Sequence, residues 1–289
     1  MFGRSSGKID LPSMPAALGR IIHITNSPDT ASAEEVATAV MTDQSLATKV
    51  MRLANSAYYG RKVKAENVTD AVNALGFTAV RNLAASASIV DALFPKQLFK
   101  GFSWPDMWTH SVITGIATEV IHDCMGTGSS LKESAFVAGL LHDVGKLIVA
   151  RALPSRFVQI IEACREWDFE MVRAETNYLG TNHAKIGHDL SMQWEFPERL
   201  RIGIAYHHSP ETAPAHEDVA RAVRAANLLA KRIGKYYITN LKTEISCKQV
   251  ADAAGISLND VEYVTNQVRD RLDNFEEIIS WGRGMPAAA

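Results

Sequence analysis

Apolar positions along this chain recur every three to four residues, and no alternation of period two lasts long enough to define a strand. Leu11-Pro-Ser-Met-Pro15 opens a helix through Leu18, Ile21, Ile22 and Thr25, which Asn26-Ser-Pro28 stops. Ser32 with Glu35 forms a capping box for a second helix through Val36, Val40 and Met41. Asp43 caps a third, running through Leu46, Val50, Leu53 and Ala54 towards Tyr58-Tyr59-Gly60. Thr69-Asp70 precedes a helix over 71–75, Gly76-Phe77 interrupts it, and an alanine-rich helix covers about 78–93. Trp104-Pro105 restarts the chain with a helix over about 106–124, and Met125-Gly-Thr-Gly-Ser-Ser130 is a break. Ser130 and Glu133 form another capping box. Further helices fit 154–166, 171–179, 182–194, 197–208 and 218–233, and Ser257-Leu-Asn-Asp260 caps a last one through Val261, Val264, Val268, Leu272 and Phe275. The fold class is all-α.

One element departs from amphipathic patterning. Ala135-Phe-Val-Ala-Gly-Leu-Leu-His-Asp-Val-Gly-Lys-Leu-Ile-Val149 is apolar on nearly every side yet contains His142, Asp143 and Lys146. No face is left for water, so the expectation is one buried helix. A buried ionised carboxylate is costly unless paired, hydrogen-bonded or bound to a cation. On a helix His142 and Asp143 stand about 100° apart, and Lys146 lies at i+4 and i+3 from them. Two readings are open: the trio holds an ion, or Lys146 neutralises Asp143 in a polar cluster that pins helices together. Gly139 and Gly145, each costing about 1 kcal/mol in a helix relative to alanine, point to close approach of another element.

The 289 residues are 47% hydrophobic and carry a net charge of −2, which gives no electrostatic footprint for nucleic acid. No apolar run reaches the roughly 18 residues of a membrane helix, and Met1-Phe-Gly-Arg-Ser-Ser-Gly-Lys8 lacks a signal core. Cys124, Cys164 and Cys247 are scattered and read as reduced thiols, so the expected setting is cytoplasmic. Histidines are clustered: of nine, only His23 lies outside the stretch from His110 to His216. Asp106 and His110 share a helical face, His183 starts a helix with Gly187 leaving room for a neighbour, and His207-His208 end another. Imidazole and carboxylate are ligands for iron, manganese or zinc. Asp106 reads as a first-turn acid favoured by the helix dipole, and His122, His188 and His216 as surface or half-buried residues without a role.

In their order, His110 after a tryptophan, Leu-Leu-His142-Asp143-Val-Gly-Lys146, His183 and His207-His208 resemble the HD superfamily of metal-dependent phosphohydrolases. More closely, the chain resembles HDOD domain proteins over roughly residues 11 to 235, through Leu11-Pro-Ser-Met-Pro15, Asp43-Gln-Ser-Leu46, Leu53-Ala-Asn-Ser-Ala-Tyr-Tyr-Gly60, Ala74-Leu-Gly76 with Val80-Arg-Asn-Leu83, and Ala184-Lys-Ile-Gly187 with Trp194 and Pro197. The resemblance implies a multi-helix HD-like bundle with an additional N-terminal helical subdomain. The division is a tail (1–10), an N-terminal half (11–100), an HD-like half (101–240) and a C-terminal extension (241–289), with Phe99–Trp104 as internal boundary.

The resemblance further implies a bacterial signal-transduction module without turnover. Its metal ligands would be His110, His142, Asp143, His183, His207 and His208, for a divalent ion, iron or manganese before zinc, or no ion at all. The site is expected to be reduced. Where HD hydrolases place a last aspartate, this chain has Asn227, and Ser209-Pro-Glu-Thr-Ala-Pro214 carries no Gly-Tyr-Pro. The alternative is a phosphohydrolase acting on a nucleotide or cyclic nucleotide, with Asp143 and Lys146 as catalytic residues. The expected partners are a protein of a signalling pathway and a nucleotide ligand, with no nucleic acid and no membrane. Asn55, Tyr58, Tyr59 and Arg81 present a recognition surface, or else Tyr58 and Tyr59 pack between helices and Asn55 caps a turn.

Overall fold

A computed structural model describes residues 9–25, 31–55, 64–77, 80–81, 84, 87–88, 92–94, 97–126, 132–167, 170–238, 244–272 and 279–280. Among these the chain is helical, and the only β pairings are isolated bridges of Phe102 with Phe99 and with Ile238.

In the N-terminal part, α1 (Ala16–Thr25), α2 (Ala33–Met41), α3 (Gln44–Ala54) and α4 (Val68–Leu75) pack on one another. Each is amphipathic, and α1, α2 and α4 bury their apolar stripes, for instance Leu18, Ile21 and Ile22 of α1 against the α2 face of Val36 and Val40. The Ser32–Glu35 capping box forms as expected, and Asp43 Oδ1 accepts from the Leu46 N–H at 3.0 Å. Helix α4 starts earlier than expected. Asn67, not Thr69 or Asp70, is its cap, because its side chain reaches the Asp70 N–H at 2.8 Å. Asn55 bridges the backbone of Ala65 in both directions, as a turn-closing residue does. The expected stops at Asn26-Ser-Pro28 and Tyr58-Tyr59-Gly60, and the Ser130 cap, lie outside the described residues.

The second part is built around α5 (Trp104–Cys124), capped by Ser103 and buried on nearly every face. Thr114 and Thr118 return their hydroxyls to carbonyls one turn back, at 2.8 and 2.6 Å, so neither is an unpaired polar group in that interior. Around α5 lie α6 (Lys132–Leu141), α12 (Glu217–Arg232) and α14 (Leu258–Leu272). Helices α7 (Val144–Ala152), α8 (Pro154–Trp167), α9 (Met171–Leu179), α10 (His183–Gln193) and α11 (Glu198–Tyr206) complete the bundle, α10 resting on α7 and α11 on α6 and α12. Phe99, Phe102, Trp104 and Phe157 form a buried edge-to-face and stacked aromatic cluster.

Three expectations need correction. The uniformly apolar stretch 135–149 is two helices, not one. Helix α6 stops at Leu141, α7 starts at Val144, and His142 and Asp143 form the turn between them. Asp143 has φ −99° and ψ 9°, and its carbonyl accepts from the Lys146 N–H at 2.9 Å, starting the new helix. His122 is fully buried and not a surface residue, since its Nε2 lies 3.1 Å from Asp218 Oδ2. Helix α13 (Cys247–Ala254) has no counterpart among the expected elements, although a Ser246–Gln249 capping box launches it. No described helix is long and apolar enough to cross a membrane.

Candidate metal centre

The turn between α6 and α7 lets two consecutive side chains enter one interior space. His142 Nδ1–H donates to the Gly139 carbonyl at 2.7 Å, so the residue is tied to the end of the helix it leaves. Glycines on either side let the surroundings close in. A Cβ on Gly139 would collide with Thr118 Oγ1 of α5, and one on Gly145 with the His183 carbonyl oxygen of α10. Both glycines thus serve close helix approach, as their positions in the sequence suggest.

His110 comes from the middle of α5, His183 from the first turn of α10 and His207-His208 from the end of α11. Two groups result, His110–His142–Asp143 and His183–His207–His208, in each of which the nitrogen and carboxylate ligand atoms lie within 4.8 Å of one another. Asp143 connects them, with Oδ1 3.1 Å from His183 Nε2 and 4.0 Å from His207 Nε2. His208 Nε2 stands 3.0 Å and His207 Nε2 3.4 Å from His183 Nε2. All six expected ligands and Lys146 are therefore brought together. Asp106 is not, being exposed at the start of α5. Asn227 is buried on α12, and its Oδ1 has no hydrogen-bond partner.

Four of the five imidazoles share one arrangement. His110 Nδ1 faces the Lys235 carbonyl at 2.9 Å, His142 Nδ1 that of Gly139, His207 Nδ1 that of Ile204 at 2.8 Å, and His183 Nδ1 the Glu175 carboxylate at 2.5 Å. A carbonyl or carboxylate can only accept, so each Nδ1 carries the proton and each Nε2 of a neutral ring is a bare lone pair. Those lone pairs converge on Asp143. His110 Nε2, His142 Nε2 and Asp143 Oδ1 are fully buried without a hydrogen-bond partner. Outward-bonded Nδ1 and an orphaned inward Nε2 is the arrangement of metal-bound histidine, in which a carbonyl or carboxylate fixes the tautomer. The donor set fits a divalent ion.

Electrostatics agree. Burial, joined by repulsion from His142, pushes His110 down to about 3. Burial and the neighbouring histidines likewise hold His207 and His208 well below the usual imidazole range. His183 moves the other way: burial lowers it, but Glu175 and Asp143 outweigh that and raise it. Burial would raise Asp143 too, yet His142, Lys146 and His183 hold it well below the usual carboxylate range. One positive charge among the crowded nitrogens is thus favoured, and a proton on His183 or a cation can supply it.

The remaining oxygen of Asp143 has its own partners. Lys146 Nζ donates to Oδ2 at 2.6 Å, and the hydroxyl of Tyr237 donates to it at 2.9 Å. Burial and Asp143 keep that phenol protonated, well above its ordinary value. Lys231 of α12 is held below the usual lysine range, first by burial and then by Lys146. The Arg224 guanidinium donates to the His208 carbonyl. Sequence reasoning missed Glu175 and Tyr237. Neither belongs to a local motif, and only the spatial neighbourhood of His183 and Asp143 identifies them.

This helical bundle with a centre of histidines about a His-Asp pair defines an HD-type protein. Residues 11–210 match the HDOD domain, and the chain belongs to the HDOD domain family. It is similar to an HDOD domain protein of unknown function from Geobacter sulfurreducens, with 25% identity, a TM-score of 0.71, and coverage of 94% of this chain and 92% of that one. A candidate signal transduction protein from Marinobacter aquaeolei VT8 is 25% identical with a TM-score of 0.77, over 95% of this chain and 60% of that one. A candidate phosphohydrolase from Shewanella amazonensis SB2B, 24% identical with a TM-score of 0.73 and 94% coverage of both chains, shares the fold. An uncharacterized curated relative from Treponema pallidum (strain Nichols) is 25% identical over 220 residues, which span 76% of this chain but 42% of the relative.

Proposed function

We propose that this chain is a regulatory HDOD module of bacterial signal transduction. In this reading its His/Asp centre binds a divalent metal, iron or manganese, and its output is association with another protein rather than turnover. The observation that carries the metal reading is the outward-bonded Nδ1 and orphaned inward Nε2 of His110 and His142 around the orphaned Asp143 Oδ1. Mixed imidazole and carboxylate ligation suits these ions. The likeness to a candidate signal transduction protein supports the regulatory setting.

Two features favour a structural or sensing role. His110, His142, Asp143, Lys146, His183 and His207 are each at most 3% exposed, so among the described residues the centre offers a nucleotide little surface on which to dock. Where a hydrolase would carry a final aspartate stands Asn227, whose neutral amide lowers the negative charge available to hold an ion, so the centre is a reduced one. Ser209-Pro-Glu-Thr-Ala-Pro214 also carries no Gly-Tyr-Pro.

A second reading, a metal-dependent phosphohydrolase acting on a nucleotide or cyclic nucleotide, is favoured by one observation: Lys146 is drawn into the centre and Lys231 lies near enough to feel its charge. A bound metal would supply the Lewis acidity such chemistry requires. Lys146 would then place a positive charge beside the reacting group, with Asp143 as the carboxylate that fixes its position.

The test is elemental analysis of protein purified without chelator or a nickel column. Stoichiometric iron or manganese, lost in His142→Ala and Asp143→Ala, is the expected result, and no metal at any loading defeats the enzymatic reading and the metal part of the regulatory one. Metal-loaded protein that hydrolyses a phosphomonoester or cyclic dinucleotide, with activity abolished by Asp143→Ala, replaces the regulatory reading with the enzymatic one.

A further inference from the structure

We infer that Tyr237 is the positioning residue of this centre: with Lys146 it grips Asp143 Oδ2, which His142 Nε2 faces at 3.3 Å, and so leaves Oδ1 as the oxygen free for His183 and His207. The inference rests on the metal reading above.

The three groups close a triangle. The Tyr237 hydroxyl donates to Asp143 Oδ2 at 2.9 Å, and Lys146 Nζ donates both to that oxygen at 2.6 Å and to the phenol oxygen at 2.5 Å. A phenol has one proton to give and lone pairs to receive with, so both directions are satisfied together. Asp143 Oδ1 receives no hydrogen bond and faces His183 Nε2 at 3.1 Å. A carboxylate with two free oxygens turns about its last torsion, which is broad and two-fold. Saturating one oxygen from two sides fixes the plane and names the other as the ligand.

Tyr237 is itself held. Its carbonyl accepts from the Ser103 N–H at 2.8 Å, its neighbour Ile238 bridges Phe102, and its ring meets that of Phe102 at 5.3 Å. The ring also stands edge-on to His110 at 5.1 Å and under Lys146 Nζ at 4.9 Å. Two residues earlier, the Lys235 carbonyl fixes the tautomer of His110. Residues 235–238 therefore act as a strap that orders two of the three members of one ligand group, His110 through a carbonyl and Asp143 through a phenol. This strap lies beyond residue 210, where the HDOD match ends.

The experiment titrates metal-free full-length protein with Co²⁺, read by calorimetry and by the visible absorption of the bound ion. Tyr237→Phe keeps the ring and removes only the hydroxyl. It is expected to bind Co²⁺ about 10- to 100-fold more weakly, with an altered absorption band, while the far-ultraviolet dichroism stays that of wild type. Wild-type affinity and spectrum in Tyr237→Phe overturn the inference and leave the metal reading standing. A far-ultraviolet dichroism unchanged in Tyr237→Phe together with an unchanged Co²⁺ affinity is the result that excludes a role for the hydroxyl. A wild-type protein that takes up no Co²⁺ overturns the reading and the inference together.

Discussion

Glu175 Oε2 accepts two hydrogen bonds from a single residue, His183, one from Nδ1 at 2.5 Å and one from the backbone N–H at 2.9 Å. The carboxylate, fully buried on α9, thereby fixes both the first turn of α10 and the ring that turn carries. Such outer partners typically change metal affinity 10- to 100-fold. Glu175→Gln keeps an acceptor but loses the charge, and a Mn²⁺ titration should show a loss of about tenfold. Glu175→Ala leaves the imidazole without its counter-charge and should cost about 3 kcal/mol of stability, measured by urea unfolding of the metal-free protein.

Gly145 provides a sharper test of the close packing beneath the centre. A methyl group there would overlap the His183 carbonyl oxygen and stand 2.7 Å from its carbon, both backbone atoms with no rotamer to yield. Helices α7 and α10 would have to separate. Gly145→Ala should therefore lose about 3 kcal/mol or more, despite the gain of about 1 kcal/mol in helix propensity. Gly187→Ala is the control. Its new methyl meets Ile204 Cγ2 at 2.8 Å and Val144 Cγ1 at 3.2 Å, which are side-chain ends, and it should lose only about 1 kcal/mol. Equal unfolding midpoints for the two variants would contradict this account.

Local signals and spatial ones divide cleanly among these residues. The helical periodicity of Leu18, Ile21 and Ile22, and the caps at Ser32, Asp43 and Ser257, are local, legible in the sequence, and present in the structure as expected. The order of His110, His142, His183 and His207 likewise points to the site, because each lies on or at the end of an element whose apolar face has to turn inward. The break at His142-Asp143 is invisible in the sequence for a physical reason: a run that is apolar all round has no phase, so a change of helix axis inside it leaves no trace in the pattern. Glu175 and Tyr237 are invisible for another. Each is a common residue in an ordinary context, and only the buried groups opposite, His183 and Asp143, give it meaning. The Ser246–Gln249 box that launches α13, by contrast, is a local signal of the same kind as the Ser32–Glu35 box.

Away from the centre, Asp218 at the start of α12 accepts from the buried His122 of α5 at 3.1 Å, with Arg199 at 3.4 Å. Burial alone would raise its carboxyl, but the His122 hydrogen bond, the Val219 N–H and Arg199 outweigh it and hold it below the ordinary value. A carboxyl depressed in the folded state adds stability that is complete above its unfolded value of about 4 and fades as pH falls through the folded value. Asp218→Asn should thus be less stable than wild type by about 1 kcal/mol at neutral pH. That gap should stay level down to about pH 5 and close below about pH 4. Thermal melts across that range, at fixed ionic strength, give the comparison. A gap that widens on acidification would show that another group controls the pair.

The neutral amide at Asn227 yields the prediction that tests most directly the proposal that the centre is a reduced one. Asn227 is buried on α12 with an unsatisfied Oδ1, one turn after Arg224, which holds the His208 carbonyl, and one turn before Lys231. Replacing it by aspartate adds a full negative charge where the amide offers only a dipole. Without metal that buried carboxylate has only Arg224 and Lys231, a turn away on either side, against its desolvation, so metal-free Asn227→Asp should melt below wild type. With metal the same charge stabilises the ion, and affinity for Mn²⁺ should rise by about tenfold, equivalent to about 1.4 kcal/mol. Because a ligand that binds only the folded state stabilises it in proportion to the logarithm of its concentration over Kd, the two proteins should respond differently to added Mn²⁺. The variant should begin less stable and gain more per decade of metal until the wild-type site is filled as well, after which the two gain equally. Melting curves recorded from metal-free buffer to millimolar Mn²⁺ provide the check, and a variant that gains no more than wild type would place residue 227 outside the centre.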